Sequence, residues 1–392
     1  MRLLDDVTVV SLEQAVAGPF ASRQLADLGA RVIKVERPGT GDFARHYDEA
    51  VRGMSSHFVW LNRSKESLTL DVKSGEGRRI LERLIERADV FLSNLAPGAV
   101  DRLGLGARGL RERHPHLIAC EISGYGRSGP NRDKKAYDLL IQAETGLVSI
   151  PGTEASPARV GISVADIAAG TYAFTGILEA LLKRHKTGEG SAIEVSLLES
   201  LGEWMGYPAY YAGYRGVSPR RAGTHHATIA PYGDVRTGDG GLVYIAVQNA
   251  REWDRFCAEV LSRPELAFDA RFRTNAARVE NRDELFEIID RAFSGMGTAE
   301  ALERLSESDI AHAQVNGVLD FVRHPQLSAR DRWREIDSPV GKVSALLPPA
   351  NVEGLEMVLK AVPDVGEHTK TILVDLGYSA ADAERLREEG VV

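Results

Sequence analysis

Cysteine is nearly absent from this sequence: Cys120 and Cys257 are the only two in 392 residues. They stand far apart in apolar surroundings, which argues against a disulfide framework and for two buried, reduced thiols. No C-x-x-C pair occurs. The histidines lack ligand spacing too. His114 and His116 flank a proline and His225 and His226 are adjacent, whereas a helical metal site needs an i, i+4 pair. No metal is expected. Positive charge is in deficit, with 48 Lys+Arg against 56 Asp+Glu and a net charge of −8. A nucleic-acid binder needs the opposite balance to neutralise phosphates. Long apolar runs are missing as well. The stretch over residues 167–182 is broken by polar or small residues short of a membrane span. Asp5 and Asp6 interrupt any signal-peptide pattern. The expectation is a soluble, cytoplasmic protein. A G-x-S-x-G elbow is lacking, which removes the motif of one large class of serine hydrolases.

What is present is an alternation of periods. Strand-like runs fall at residues 7–12, 31–36, 67–71, 90–93, 116–123 and 192–197. Between them lie helical patterns at residues 18–28 and 75–88. Such alternation signals βαβ units and a mostly parallel sheet. A long helix is expected over residues 164–185, with Phe174, Ile177, Leu178, Leu181 and Leu182 on one face. Lys183 to Lys186 and then Gly188 suit its C-terminus. Composition changes after Ser200. Residues 218–232 read as loop, a second unit begins at Gly241 and runs to about His324, and one more helix is expected from Gly366. The alternation makes the fold class α/β.

Two motifs invite a chemical reading. Gly124-Tyr125-Gly126-Arg127-Ser128-Gly129 matches G-x-G-x-x-G after a predicted strand. Pro130, Asn131, Arg132 and Asp133 follow it, so no helix opens where a dinucleotide pyrophosphate would sit. Asp166 lies at the start of the long helix. There the dipole and free N–H groups favour its charge, and an ionised carboxylate can attack an activated acyl group. Ordinary helix capping explains an aspartate here equally well, because Ser163-x-x-Asp166 resembles a capping box.

Ordered motifs then run along nearly the whole chain. They are Ala17-Gly18-Pro19, the segments at residues 25–30 and 32–36, Gly41-Asp42, and Asn62-Arg63-Ser64-Lys65. They continue through Leu70-Asp71, Asn94, Pro97-Gly98, Gly124-Tyr125-Gly126, Lys135 to Asp138, Asp166, residues 184–190 and Gly366 to Thr369. In this order they resemble the class III CoA-transferases, the family of formyl-CoA transferase and carnitine CoA-transferase. The resemblance implies that Asp166 attacks an acyl-CoA thioester to form a mixed anhydride. An aspartyl-CoA thioester follows, and the acceptor carboxylate takes the CoA, so thioester energy is conserved. Such chemistry needs water kept out and the oxyanions held.

The same resemblance places Arg37, Leu70, Asp71, Val72 and Lys73 on CoA, with Asn94, Leu95, Ala96 and Arg102. It also places Lys135, Ala136, Tyr137 and Asp138 there. CoA and its thioesters would be substrates, with no tightly bound cofactor. It implies an open Rossmann-like α/β large domain made from residues 1–200 and 326–392, a linker over residues 201–224, a smaller α+β domain over residues 225–325, and an interlocked homodimer. A related branch, the α-methylacyl-CoA racemases, carries a G-H-D-like motif where this chain has Ala136-Tyr137-Asp138. Tyrosine is a poor replacement for imidazole in proton transfer. A non-catalytic CoA-ester binder is the other alternative. Val16 stands where the formyl-CoA branch has glutamine, and that branch's glycine run is replaced by residues 220–226. Arg220, Arg221 and His225 are thus the expected contacts for the acid, with a guanidinium suited to the far carboxylate of a succinyl-, itaconyl-, mesaconyl- or citramalyl-type group.

Overall fold

The structure is a computed structural model and describes residues 1–392. The chain divides into two compact units. The first comprises residues 1–145, 160–206 and 327–392, and the second residues 146–159 and 207–326.

The first unit is built on six parallel strands: β1 (Thr8–Leu12), β2 (Arg31–Glu36), β3 (Lys65–Thr69), β4 (Val90–Ser93), β5 (Ile118–Ser123) and β6 (Ser191–Ser196). Their order across the sheet is β3-β2-β1-β4-β5-β6. Chain order therefore reverses between β1 and β4, and the loops leaving these two strands splay apart there. In open α/β sheets that gap at the carboxyl edge is where ligands bind. β2 and β4 are buried along almost their whole length, as central strands covered on both faces must be.

Five helices matter for the site: α1 (Ala17–Asp27), α2 (Ser56–Asn62), α3 (Gly75–Glu86), α4 (Asp138–Glu144) and α5 (Val164–Thr187). α3 shows why the alternation reads clearly in sequence. Ser74 Oγ accepts from the Gly77 N–H at 2.9 Å and caps it. Ile80, Leu81, Leu84 and Ile85 bury one face, worth about 2 kcal/mol per side chain. The two C-terminal helices, Thr369–Asp375 and Ala380–Glu388, complete the same core through Ile372, Leu373 and Leu386. One helix was expected there. Gly377 at φ +90 divides it into two.

α5 departs from expectation in which face it buries. Its buried residues are Ala165, Ala168, Ala169, Gly170, Ala173, Ile177 and Ala180, while Leu182 is 65% exposed. The small residues decide this, because they let the helix approach α1 closely. A Cβ on Gly170 would stand 2.6 Å from the Ala17 carbonyl oxygen. α5 is long and apolar enough by length and composition to cross a membrane. In this fold it instead packs against α1 and the sheet.

The second unit centres on an antiparallel sheet of β7 (Tyr232–Arg236), β8 (Leu242–Ala246) and β9 (Ala311–Gln314), with β8 in the middle. Trp253, Phe256, Phe272, Ile289 and Phe293 fill its core. Residues 201–224, expected as a linker, contain the helix Gly206–Arg215 and part of Leu197–Trp204. The expected start at residue 225 also shifts, since residues 146–159 and 207–224 belong to this unit. The cause is local: the Gly223 N–H donates to the Gly152 carbonyl at 2.9 Å, and Arg221 binds the Thr153 and Glu154 carbonyls. Cys120 and Cys257 are both buried free thiols, and burial pushes each up to about 12.

Candidate active site

Two adjoining cavities open at the carboxyl edge of the parallel sheet and share Gln14, Leu95 and Ala96. Asn94 ties the loops of the switch point together. Its Oδ1 accepts from the Gln14 N–H and its Nδ2 donates to the Gln14 carbonyl, both at 2.8 Å. The first cavity, about 430 Å³, is lined by Arg37, Lys73, Arg78 and Arg102, by apolar side chains that include Leu70 and Val72, and by Glu13, Glu36 and Asp42, which pair with Lys65, Arg45 and Lys34. Four further cations beside apolar side chains suit a phosphorylated nucleotide.

The second cavity, about 440 Å³, contains Asp166. Val16, Asn94, Lys135, Ala136, Tyr137 and Asp138 line it as well. Gly124 makes this possible, because a Cβ there would lie 2.2 Å from that of Ala136. The G-x-G-x-x-G match is thus a close-approach loop, followed by no helix until Asp138. Asp71 does not face either cavity. Its carboxylate accepts from the Lys73 N–H at 3.0 Å and shapes the turn.

The helix-capping explanation of Asp166 does not hold. Ser163 makes no side-chain cap bond, and its backbone is not extended. Asp138 supplies the cap instead: its Oδ1 accepts from the Ala165 N–H at 2.8 Å and its Oδ2 from Gln142 Nε2 at 2.7 Å. Asp166 makes no ion pair. Burial first, and then the Asp138 carboxylate, push its carboxyl up to about 7. Although part of its surface still opens on the cavity, the protein packed around it removes most of the water that would solvate a charge. The helix dipole was expected to favour the charge, but desolvation and a neighbouring carboxylate outweigh it. A half-ionised carboxylate near pH 7 is a stronger base and nucleophile than an ordinary one.

Beneath the cavities lies a buried ionic network that sequence reasoning saw only as family motifs. Lys65 Nζ donates to Glu13 Oε1 at 2.7 Å, to Asn62 Oδ1 at 3.0 Å and to the Pro19 carbonyl at 3.1 Å. Lys34 Nζ donates to Asp42 Oδ2 at 2.8 Å, and Asp42 Oδ1 accepts from the Ala15 and Ala44 N–H groups. Arg45 grips Glu36 through both carboxylate oxygens. Burial opposes the charge on Glu13, yet Lys65 and Lys34 hold its carboxyl below the usual range. Burial pulls Lys65 down to about 8 despite Glu13. The network pins residues 13–16, which line the site.

Tyr47 and His57 also line the second cavity and were not anticipated. Burial, Asp42, Asp166 and Tyr137 push the Tyr47 hydroxyl up to about 12, so it stays a neutral donor. Their only sequence signal is position in the loop after Gly41-Asp42 and on α2. His57 is the only imidazole among the residues lining this cavity. In the second unit, Arg220 lies 3.4 Å from Glu154, and Arg221 holds backbone carbonyls. His225 stacks on Phe286 at 4.1 Å and sits 3.4 Å from Asp234.

These features define an α/β protein with two adjoining cavities at its switch point, one carrying four cations and the other a desolvated carboxylate. The chain matches CoA-transferase family III over residues 4–369 and belongs to that family. It is a CoA-transferase, and CoA thioesters are its substrates. It is 36% identical to the succinyl-CoA:glutarate CoA-transferase of Mus musculus, covering 100% of this chain and 91% of that protein. It is 32% identical to the succinyl-CoA–D-citramalate CoA-transferase of Chloroflexus aurantiacus, covering 100% and 98%. Among solved structures, a CAIB/BAIF family protein from Brucella suis superposes with TM-score 0.82 at 33% identity, covering 94% of this chain and 98% of that one.

Proposed function

We propose that this enzyme moves CoA between dicarboxylic acids, with Asp166 as the covalent carrier. The supporting observation is the environment of Asp166: a desolvated carboxylate that makes no ion pair, beside a cation-lined cavity of nucleotide size. Several similar enzymes are named for diacids, among them glutarate, citramalate and mesaconate. In this reading the Asp166 carboxylate attacks the acyl-CoA carbonyl and CoA thiolate leaves, giving a mixed anhydride. The thiolate then attacks the aspartyl carbonyl, which frees the donor acid and forms an aspartyl-CoA thioester. The acceptor carboxylate attacks that thioester, and the returning thiolate takes the acceptor acyl group and restores Asp166. Every intermediate stays activated, so no ATP is needed, and water must be kept out.

Arg37, Lys73, Arg78 and Arg102 would hold the nucleotide phosphates, with Leu70, Val72, Leu95 and Ala96 against its apolar parts. Lys135, Ala136 and Tyr137 would flank the thioester end, while Asp138 would hold the start of α5. The proposal includes an interlocked homodimer. In the second unit Tyr214, Val318 and Leu319 are 87%, 81% and 70% exposed, as surfaces covered by a second copy would be. It also includes a cytoplasmic location, with which two free thiols agree.

The test is direct. Supplied with succinyl-CoA and a panel of mono- and dicarboxylic acids, the enzyme should form the diacid CoA esters, read by mass spectrometry. Asp166→Ala should form none while still binding the CoA ester. Failure of the wild type to exchange CoA with any diacid would refute the reading. Arg220→Ala and Arg221→Ala test the basic loop of the second unit, which drops out if the diacid KM is unchanged.

A further inference from the structure

The reaction cavity holds one side-chain pair that the chemistry above does not use. His57, in the first turn of α2, lines the cavity with its side chain 42% exposed. Its Nδ1 lies 3.5 Å from Asp48 Oδ2. Asp48 is itself fixed: it accepts from the Ala50 N–H at 2.9 Å, the Ser56 N–H at 3.0 Å and Ser56 Oγ at 2.8 Å. Those hydrogen bonds, the Ser56 N–H foremost, hold its carboxyl well below the ordinary range, so it is a permanent anion. The imidazole also meets the Tyr47 ring edge-on at 5.3 Å, and Tyr47 contacts Phe43 at 5.7 Å. One ring nitrogen is thus engaged and the ring plane is set, while Nε2 has no partner in the chain.

The charge balance of the cavity gives this pair its meaning. Asp166 and Asp138 are both in the lining, and a diacid brings a further carboxylate that takes no part in the reaction. Of the lining residues only Lys135 and His57 can carry positive charge. Lys135 is exposed on a flexible four-carbon stem, whereas the His57 ring is oriented by two contacts. Asp48 offsets the charge of an imidazolium, and on taking a proton at Nε2 the ring presents a charge-assisted donor to the cavity.

We propose that His57, oriented by Asp48, binds the far carboxylate of the dicarboxylic acyl group and sets the preference for diacids over monoacids. The assignment rests on the diacid reading above. It makes His57 a specificity residue that takes no part in the covalent steps.

A competition assay separates the two claims. Glutarate and pentanoate have the same chain length and differ only in the far carboxylate. When both compete for one donor, the ratio of glutaryl-CoA to pentanoyl-CoA formed is the ratio of their kcat/KM values, and the donor half-reaction cancels. His57→Gln keeps about the size and cannot become a cation. It should lower the ratio about 30-fold or more, with pentanoate turnover within about threefold of wild type. His57→Arg, which restores a cation, should recover part of the preference. A fall in both products together makes His57 structural and overturns the assignment. So does an unchanged ratio in a wild type that prefers glutarate, while leaving the diacid reading in place. A wild type that prefers no diacid of the panel over the monoacid of equal length overturns both.

Discussion

Glu13 and Asp166 are carboxylates of one unit with opposite surroundings. Glu13 is wholly buried, yet Lys65 and Lys34 lie within 2.7 and 3.5 Å, and it stays an anion. Asp166 faces a cavity and makes no ion pair, and the charged group that acts on it is another carboxylate, Asp138. Burial raises the cost of charge in both places. What separates an anion from a carboxyl raised to about 7 is whether the fold supplies a counter-charge. The buried network satisfies Glu13, and Asp166 is left without such a partner. Destabilising the charged form in this way would raise the reactivity of the nucleophile proposed here.

The comparison can be broken at several points. The largest effect is expected from Asp166→Ala, which should reduce CoA transfer at least ~10³-fold with no loss of stability in urea unfolding. Lys65→Met should destabilise the fold by about 3 kcal/mol in urea unfolding, because Glu13 is left buried with only the more distant lysine. Adding Glu13→Gln to Lys65→Met should recover part of that loss. If Lys65→Met alone is neutral, the network does not satisfy Glu13 in this way.

The next effect concerns pH. The folded Asp166 carboxyl titrates near 7, above its ordinary 3.8, so between these values the native state holds the extra proton. Its contribution to stability is complete below about pH 4 and is lost as pH rises through 7. Asp166→Asn should therefore gain stability relative to wild type between pH 5 and pH 8, by about 2 kcal/mol after allowance for its partial exposure. A pH-independent difference in thermal midpoint would show an ordinary carboxylate. The same group should make wild-type kcat/KM rise with pH through about 7 in the free enzyme.

Asp138→Asn sharpens the contrast at the smallest scale. The amide oxygen can still accept from the Ala165 N–H, but the charge beside Asp166 is gone. The rising limb of the pH–rate profile should move about one pH unit toward acid, with stability lower by about 1 kcal/mol. An unmoved limb would leave burial as the sole cause of the raised value.

Much of this was legible along the chain. The alternation of two periods marks all six parallel strands, because a buried strand and an amphipathic helix each write a local pattern. Asp166 could be found at the head of α5 for the same reason. The buried face of α5 was misjudged because Phe174 and Leu182 carry more hydrophobicity than the alanines, yet only the alanines and Gly170 allow α1 to approach. His57 and Tyr47 were missed because a loop and a short helix have no periodicity that marks a cavity wall. Residues 146–159 cannot be assigned to the second unit from sequence, since the bonds that hold them come from Arg221 and Gly223.

The sequence by itself determined the α/β class, the absence of metal-ligand spacing, the place of Asp166 in the chain and the ordered family motifs. These are one-dimensional properties, carried by spacing and residue type. Only the tertiary structure decided the charge state of Asp166. Its cap and its repulsion both come from Asp138, 28 residues earlier, and its desolvation comes from whatever packs around it. Electrostatic energy depends on distance through space and on the medium between charges, and neither is written in sequence separation.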